Sequence, residues 1–418
     1  MVKIYWFIGA FLLTVGQSQA QTYSRQALKD MLLQNNGQLI AQKYQIEAAD
    51  ALIVQEKLWS NPTLSISEVN LWKNGTTETL PYLFGKYGQH QQIGLELEQV
   101  IETAGKRKKR VNLKSLEKKD ALLDYEELLR ELQFELDEAY WSYVAVSRKE
   151  VLVDSIVNLY QSLESQYKRQ SDLNNIPKSD HLRIQSALIN FEKDRVELYT
   201  EKNTWLNKIK VLTQDEAITE AQIETINIPL NLSQSIPVDL EKQLLDQNIG
   251  YQKQANERDK AQQQLLIEQA EKKPDLAFQL SYDRGGNIMR DFVGIGVSMD
   301  LPIWNRNKGN IKAAENMVKH AEIQQNTVVN QLKTQLNELK YQVQLYETTL
   351  LKSQKLDSKE RSAMIANYQK HLQKKQITLL EFIDFIEAYQ ETECGVVEMT
   401  LAYQVAYAQL QYLTGGKF

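Results

Sequence analysis

The side chains best suited to metal binding or nucleophilic chemistry are few and widely spaced in this sequence. Its four histidines are His90, His181, His320 and His371, and its one cysteine is Cys394. Metal sites require such residues at characteristic short spacings, for example two histidines four residues apart on one helix face. None of these residues stands in such a spacing, and no nucleophile elbow or phosphate-binding loop occurs. The sequence therefore predicts no metal site, no cofactor and no enzymatic activity.

Acidic side chains that could create an electric field, rather than catalyse a reaction, lie in segments of alternating polarity. Glu96 and Glu98 alternate with leucines, and Asp283 and Asp300 close two later alternating segments. Alternation with a period of two predicts β-strands with one apolar and one polar face. If the polar face lines a water-filled lumen, these four acids would favour cations there. The alternative is the ordinary polarity of a barrel interior.

A run of five basic residues stands where the pattern changes from strand to helix. The run consists of Lys106, Arg107, Lys108, Lys109 and Arg110. Cations at this position could hold the protein to anionic lipid head groups, each contributing about 1 kcal/mol near a charged surface. The alternative is a solvated helix start, although five cations there oppose the helix dipole. The sequence leaves both interpretations open.

Both strand-like regions belong to a unit that occurs twice in the chain. Residues 93–98 recur 202 residues later as residues 295–300, and residues 174–177 recur 201 residues later as residues 375–378. The first copy carries a longer loop between its strands, at residues 71–88. A repeat this long with matched elements indicates duplication of one architecture. We therefore predict one intertwined body rather than two or three separate domains.

A long helical pattern follows each strand pair. It runs from about residue 107 to 170 and from about residue 311 to 373, or roughly 90–100 Å each. We expect each helix to turn and return through an equally long one that ends near Leu212 or Leu413. Spacings that alternate between three and four give each long helix a heptad seam. The seams are Leu122, Tyr125, Leu129, Leu132, Leu136, Ala139, Tyr143 and Val146, and Val329, Leu332, Leu336, Leu339, Val343, Tyr346 and Leu350.

The predicted organisation has a signal segment, two repeats and a connector. Residues 1–20 combine Lys3, an apolar run and a small-residue end at Ala20, which is typical of a secretory signal peptide. The first repeat covers residues 21–213, with a helix, a strand pair at 62–100 and a helical hairpin at 103–213. The second covers residues 239–418, with a helix, a strand pair at 274–302 and a hairpin at 308–414, and residues 214–238 connect the two. The mild net charge of −5 argues against a nucleic-acid partner.

The number of strands bears on the number of chains. No stretch after residue 20 approaches the roughly 18–20 apolar residues of a membrane helix, but alternating strands can span a membrane as a closed barrel. Four strands per chain are too few to close, and open edges are unstable in lipid and aggregate in water. We therefore predict a mainly α-helical chain with a small transmembrane β part. Its duplicated, long antiparallel helical hairpins form an α-barrel, and its four strands close a 12-stranded barrel in a homotrimer.

Landmarks along the chain resemble the TolC family of outer-membrane efflux channels over essentially everything after residue 20. They are Asn61 and Pro62 at the end of the first helix, residues 94–99 leading into residues 105–107, and residues 301–309 opening the second hairpin. The last two most resemble the heavy-metal branch, the CzcC- and CusC-like proteins. The resemblance implies a homotrimer with its barrel in the outer membrane and its helices extending into the periplasm. It also implies three kinds of partner: outer-membrane lipid, a periplasmic adaptor (membrane fusion protein) and an inner-membrane pump of the RND type.

By the same resemblance, the protein is a passive conduit from adaptor and pump to the exterior, with metal cations as the favoured cargo. Two alternatives stay open. One is a TolC-like channel that exports drugs or peptides. The other is a periplasmic coiled-coil adaptor or scaffold, which would share the long hairpins but needs no lipid-facing strands.

Helical barrels of this family close at the periplasmic end through rings of charged or tyrosine side chains. Resemblance therefore makes four residues near the two turns candidates for the gate. They are Asp180, Tyr368, Glu381 and Asp384. For the three acids, the alternative is ordinary exposed charge at a helix start.

The turns at the hairpin tips depart from the family pattern. The family usually has a glycine two residues before the isoleucine, where this chain has Asn174 and Lys375. Asparagine tolerates the left-handed backbone conformation better than lysine does. We therefore expect the second turn to differ in shape from the first.

Overall fold

The computed structural model describes residues 22–67, 79–226, 229–285, 289–354 and 358–416. The predicted signal segment 1–20 and residues 71–78 of the long loop lie outside the described residues. The described chain is mainly helical, with one four-stranded sheet. None of its helices is both long enough and apolar enough to cross a lipid bilayer.

The elements follow the same order in each half of the chain, except that two helices of the second half stand where the first half has one long helix. The first half has α1 (Arg25–Asn35), α2 (Gly37–Lys57), β1 (Thr63–Ser67), β2 (Gly94–Ile101), α3 (Lys106–Asp172) and α4 (Lys178–Thr213). The second half has α5 (Leu240–Gln247), α6 (Ile249–Ala270), β3 (Leu276–Gly285), β4 (Arg290–Met299), α7 (Lys308–Gln354), α8 (Ser358–Gln373) and α9 (Leu379–Thr414). Two short 3₁₀ turns, Glu220–Gln222 and Leu232–Ser235, lie between the halves.

The sheet joins the strand pairs of both halves. Its strands are antiparallel in the order β1-β2-β3-β4, so β1 and β4 are its edges. One cross-strand row runs Leu64–Leu97–Leu280–Ile295, and the next runs Ser65–Glu96–Ser281–Gly294. Successive side chains of a strand point to opposite faces. The register therefore confirms the prediction of one apolar and one polar face.

The heptad seams of the long helices are largely buried in the core. The 67 residues of α3 correspond to roughly 100 Å of helix. In the first seam Leu132, Leu136 and Ala139 are buried, whereas Leu122 is 42% exposed. In the second seam Leu336 and Val343 are buried against α9 and the connector. The seam that the sequence predicts is therefore the packing surface of each hairpin over most of its length.

The prediction of equally long return helices is wrong. Helices α4 and α9 have 36 residues each and return about half the length of α3. The other half is supplied by helices that precede the strands: α2 begins where α4 ends, and α6 begins where α9 ends. The sequence pattern is helical in every one of these segments, so it could not show that two short helices replace one long one.

One asparagine joins the two short helices in each half of the chain. Asn36 caps α2 by accepting hydrogen bonds from the backbone N–H groups of Gln38 and Leu39, and its Nδ2 donates to the carbonyl of Leu212 in α4. Asn248 likewise accepts from the N–H of Tyr251 and donates to the carbonyl of Leu413 in α9. Both asparagines are more than nine-tenths buried. Each side chain therefore satisfies the N-terminus of one helix and the C-terminus of another.

The connector between the halves is held against both hairpins. On the first hairpin, Lys202 pairs with Glu150 at 2.7 Å and with Glu220 of the first 3₁₀ turn at 2.9 Å. On the second hairpin, the carboxylate of Glu347 accepts hydrogen bonds from the backbone and the hydroxyl of Ser233 in the second 3₁₀ turn. The predicted connector, residues 214–238, thus contacts both hairpins and links them to each other.

The connector contact through Glu347 predicts a pH-dependent stability. Burial alone would raise the pKa of Glu347, but hydrogen bonds from Ser233 and Tyr403 outweigh it, so the pKa lies below the ordinary 4.5. A lowered pKa in the folded state means that the stabilisation is present above pH 4.5 and is lost as the pH falls through the folded value. We expect Glu347→Gln to cost about 1–2 kcal/mol at pH 7 and much less at pH 3. Urea midpoints at both pH values measure this, and Glu391→Gln, at an exposed site, is the control.

Candidate functional site

The four acids predicted to line a lumen lie on or next to the polar face of the sheet. Glu96 and Glu98 of β2 share that face with Asp283 of β3, and Asp300 follows the last residue of β4. Glu98 accepts a hydrogen bond of 2.8 Å from Gln279, its neighbour across the strands. Glu98 and Asp300 line one cleft of about 650 Å³ at the helix end of the sheet, whereas Asp283 pairs with Gly94 at the other end. The structure thus distributes the acids along one face rather than clustering them.

The opposite face of the sheet is apolar and uncovered by the rest of the described chain. Leu64 and Ile66 of edge strand β1 are 62% and 64% exposed, and Ile295 of edge strand β4 is 90% exposed. Leu280, between them on β3, is 49% exposed. A contiguous apolar surface of this kind marks contact with a membrane or another protein. The sheet therefore has an exposed apolar face on one side and a face with carboxylates on the other.

The predicted lipid-binding run, residues 106–110, divides into two groups in the structure. Lys106 is 3% exposed and lies between Glu271 at 3.1 Å and Asp275 at 2.9 Å. Burial would lower the pKa of Lys106, but the hydrogen bonds to these two carboxylates raise it above its ordinary value. Lys106 is thus a buried tie between the start of α3 and the segment that leads into β3.

The other residues of the run have separate roles. Arg110 donates to Glu56 at 2.6 Å and to Glu102 at 2.7 Å, which ties α3 to the ends of α2 and β2. Lys109 donates to the carbonyl of Ala104. Arg107 lies over the indole of Trp59, 3.9 Å from the ring centroid, and Lys108 is exposed. The run is therefore not a uniform patch, because Lys106 and Arg110 already have carboxylate partners.

The gate candidates lie at the hairpin tips, in different local settings. Glu381 forms a capping box at the start of α9: its carboxylate accepts from the N–H and hydroxyl of Thr378, whose hydroxyl accepts from the N–H of Glu381. The bonds from Thr378 lower the pKa of Glu381. Asp180 occupies the matching first turn of α4, and Asp384 is exposed one turn into α9. Of the three acids, Glu381 thus has a structural role within its own helix.

Tyr368, the aromatic gate candidate, belongs to a stack between α8 and α9. Its ring is parallel to that of Phe385, with centroids 3.7 Å apart, and Phe385 in turn faces Tyr389 at 6.3 Å. The ring of His371 meets Tyr368 edge-on. The sequence did not identify Phe385, because the stack depends on how two helices meet rather than on spacing in either one.

The two tip turns have the same shape, so the expectation that the second would differ is wrong. Asn174 and Lys375 both have a φ of 56°. The N–H of Asn174 donates to the carbonyl of Ser171, and the N–H of Lys375 donates to that of Leu372, each at 3.0 Å. Lysine is held in the left-handed region because the same hydrogen bonds close both turns. The two repeats therefore have the same turn conformation at their tips, although the residues differ.

The left-handed conformation at Lys375 allows a direct stability test. Glycine adopts this conformation without steric cost, whereas a β-branched residue does so poorly. We expect Lys375→Gly to stabilise the tip by about 0.5–1 kcal/mol and Lys375→Val to destabilise it by about 1–2 kcal/mol. The rate of proteolytic cleavage at the tip measures the effect. Equal rates for the two variants would contradict it, and Lys374→Val, next to the turn position, is the control.

The residues suited to metal chemistry remain dispersed in the structure. Within the described ranges, no group of three or more His, Cys, Asp or Glu residues is arranged to hold a metal ion. His181 pairs with Glu164 at 3.0 Å between α3 and α4. Cys394 is partly buried, and burial raises the pKa of its thiol.

Solved structures share this architecture at low sequence identity. The outer-membrane channel OprN is 14% identical with a TM-score of 0.76, covering 94% of this chain and 90% of that one. The outer membrane protein VceC of Vibrio cholerae is 15% identical with a TM-score of 0.74, covering 94% and 96%. The transmembrane channel CusC is 14% identical with a TM-score of 0.71, covering 94% and 92%. The chain has the fold of these outer-membrane proteins.

Among the comparisons with known proteins, only those of structure find this fold. In sequence, the chain matches no family model and no curated protein. The likeness to CusC is no greater than the likeness to OprN or VceC, so the fold does not single out the heavy-metal branch. The sequence predicted none of the contacts made by Asn36, Asn248 and the Trp59–Arg107 pair. Asparagine is a local signal for a helix cap, but the contact with a distant segment has no local signal.

Proposed function

We propose that the protein is an outer-membrane efflux channel of the TolC family that works as a homotrimer. The observation that carries this proposal is the sheet: within the described residues it has four antiparallel strands with two unpaired edges, an exposed apolar face and a polar face with carboxylates. Such a sheet is unstable alone in water or in lipid. Closing it with copies of itself pairs the edges, turns the apolar face to lipid and encloses the polar face.

The strand directions support closure between copies. Within the chain, β1 and β4 run in opposite directions because each of the three strand pairs is antiparallel. Strand β4 of one copy can therefore meet β1 of the next without interrupting the alternation. Three copies give twelve strands, an even number, as expected for barrels of the bacterial outer membrane. The long helices would continue this barrel as an α-barrel in the periplasm.

The protein would act as a passive conduit rather than as an enzyme. In this proposal the tips at Asn174 and Lys375 meet a periplasmic adaptor, and an RND-type inner-membrane pump supplies the driving force. The identical shape of the two tips supports a binding surface that repeats around the trimer. For cargo we propose metal cations, supported by the resemblance of residues 94–107 and 301–309 to the heavy-metal branch. Drugs and peptides are the alternative cargo.

A periplasmic adaptor or scaffold is the alternative from another class of protein. Long helical hairpins fit both functions, but the sheet favours the channel, because Ile295 and Ile66 expose apolar side chains that an adaptor would have to cover. Fractionation and gel migration distinguish the two. We expect recovery in the outer-membrane fraction and slower migration as a trimer before heating than after. Recovery in the soluble periplasmic fraction with no heat-sensitive form would contradict the proposal.

The gate prediction is tested by reversing one charge at the tip. Asp384 is exposed on α9, and Asp246 is exposed on α5, away from the tips. If Asp384 lines the periplasmic constriction, it occurs three times in the trimer, and Asp384→Lys changes a ring by six charges. We expect the resting current in planar bilayers to change several-fold for Asp384→Lys and not for Asp246→Lys. Equal currents in both variants would contradict the role of Asp384.

A further inference from the structure

A cleft of about 320 Å³ lies where the sheet meets the helices of the first repeat. Its lining comes from the end of α2, the segment before β1, the end of β2 and the start of α3. The residues that matter here are Lys57, Trp59, Glu102, Arg107 and Lys108. Its volume is at the lower end of the range for small-molecule sites. A head group therefore fits better than a larger ligand.

The cleft carries an excess of positive charge. Among the described residues, no carboxylate lies within ion-pair distance of Lys57, Arg107 or Lys108. Glu102, the one acid among the described lining residues, is already bound through both oxygens to Arg110. Three cations without a carboxylate partner among the described residues therefore line a cleft with one bound carboxylate. This balance favours an anion.

Arg107 is held in place without using its hydrogen-bond donors. Its guanidinium lies 3.9 Å from the ring centroid of Trp59. This contact occupies none of the N–H donors with an oxygen acceptor among the described residues, so they stay available for an anion. A guanidinium positioned in this way matches two oxygens of a phosphate group.

We propose that this cleft binds the phosphate of an anionic membrane phospholipid. Trp59 and the adjacent Leu58 are each 58% exposed, which gives the cationic site an apolar flank suited to the start of an acyl chain. A free phosphate ion would make no use of that flank. The proposal rests on the membrane location proposed above, and it assigns lipid binding to Arg107, Lys108 and Lys57 rather than to Lys106 and Arg110.

The second repeat provides an internal comparison. Residues 202 positions after Arg107 and Lys108 are Gly309 and Asn310, so the second junction lacks a cation at these two positions, although Lys308 matches Lys106. An exposed tryptophan, Trp304, lies near that junction at 93% exposure, but it follows β4, whereas Trp59 precedes β1. If the cations and not the tryptophan select the lipid, each chain binds one anionic lipid rather than two.

The test uses the full-length protein purified in detergent, with phosphatidylglycerol as the probe and native mass spectrometry as the readout. We expect one tightly retained lipid per chain and an affinity about 30-fold weaker in the double variant Arg107→Gln/Lys108→Gln. Lys312→Gln, in the first turns of α7, should leave retention unchanged. Arg107→Lys keeps the charge but not the planar guanidinium, so its lipid affinity should lie between those of the original protein and the double variant.

Several outcomes would overturn the site. Equal retention of phosphatidylcholine, full displacement by millimolar inorganic phosphate, or two lipids per chain would each contradict an anionic-lipid site at this junction. Unchanged retention in the double variant would do the same. Heat-sensitive trimer migration of each variant shows that it has folded. A trimer that reaches the outer membrane but retains no phosphatidylglycerol would overturn the lipid site alone, whereas a soluble periplasmic protein would overturn the proposed function.

Discussion

Replacing Ile295 by arginine should strongly reduce assembly in the outer membrane while leaving the helices intact. Ile295 is 90% exposed on the apolar face of edge strand β4. In a protein surrounded by water, a charge at such an exposed site changes stability by less than about 0.5 kcal/mol. On the lipid face of a barrel, arginine costs about 2–4 kcal/mol at the bilayer midplane. Three copies would each bear this cost, so we expect a several-fold or greater loss of heat-sensitive trimer in the outer-membrane fraction.

Gln279→Arg is the matched control for this variant. Gln279 lies opposite Gly296 on the neighbouring strand and points to the polar face, where it donates to Glu98. An arginine there can pair with Glu98 and face water, so we expect nearly normal assembly. Equal assembly of Ile295→Arg and Gln279→Arg would mean that the apolar face does not meet lipid.

The second large effect should come from the asparagines that join helices end to end. In Asn248→Ala, α6 loses its N-terminal cap, and the buried carbonyl of Leu413 loses its donor. Loss of a cap costs about 0.5–2 kcal/mol, and an unsatisfied buried group costs about 1–3 kcal/mol. We expect a loss of about 2–4 kcal/mol, read from the urea midpoint of the purified protein.

Asn248→Asp separates the two roles. Its carboxylate can still accept from the N–H of Tyr251, but it cannot donate to the carbonyl of Leu413. We expect it to be destabilised, because a carboxylate oxygen then faces a carbonyl oxygen. Asn36→Ala should lose a similar amount, and the double alanine variant should lose the sum, because the two sites lie in different halves of the chain. An aspartate variant as stable as the original protein would mean that only the cap matters.

The sequence predicted the features that depend on local periodicity. The alternation around Glu96 and Glu98 correctly predicted strands with two unlike faces, and the heptad spacing of Leu332, Leu336 and Val343 correctly predicted the buried seam of α7. Both patterns indicate which face of a helix or strand is apolar. They are strong here because the elements are long or repeated.

Features that depend on how distant segments meet could not be predicted. The basic run looked uniform in sequence, but Lys106 finds Glu271 and Asp275 about 165 residues away, whereas Arg107 finds Trp59. The length of the return helices depends on such contacts too, since the hydrogen bonds from Asn35 and Asn36 to the end of α4 mark where α4 gives way to α2. The prediction of a different second tip turn is wrong because the hydrogen bonds of that turn outweigh the tendency of lysine to avoid the left-handed conformation.

Cross-linking between the two sheet edges tests most directly whether the sheet closes by tripling. In a Cys394→Ser background, Ser65→Cys on β1 is combined in turn with cysteine at four polar-face positions of β4, namely Phe292, Gly294, Gly296 and Ser298. Cysteines that face each other on neighbouring strands can form a disulfide. Pairing Ser65→Cys with Ala277→Cys, on an interior strand, is the control. We predict a covalent band of three chains for at least one β1–β4 combination and none for the control, whereas single chains in every combination would contradict a barrel closed by three copies.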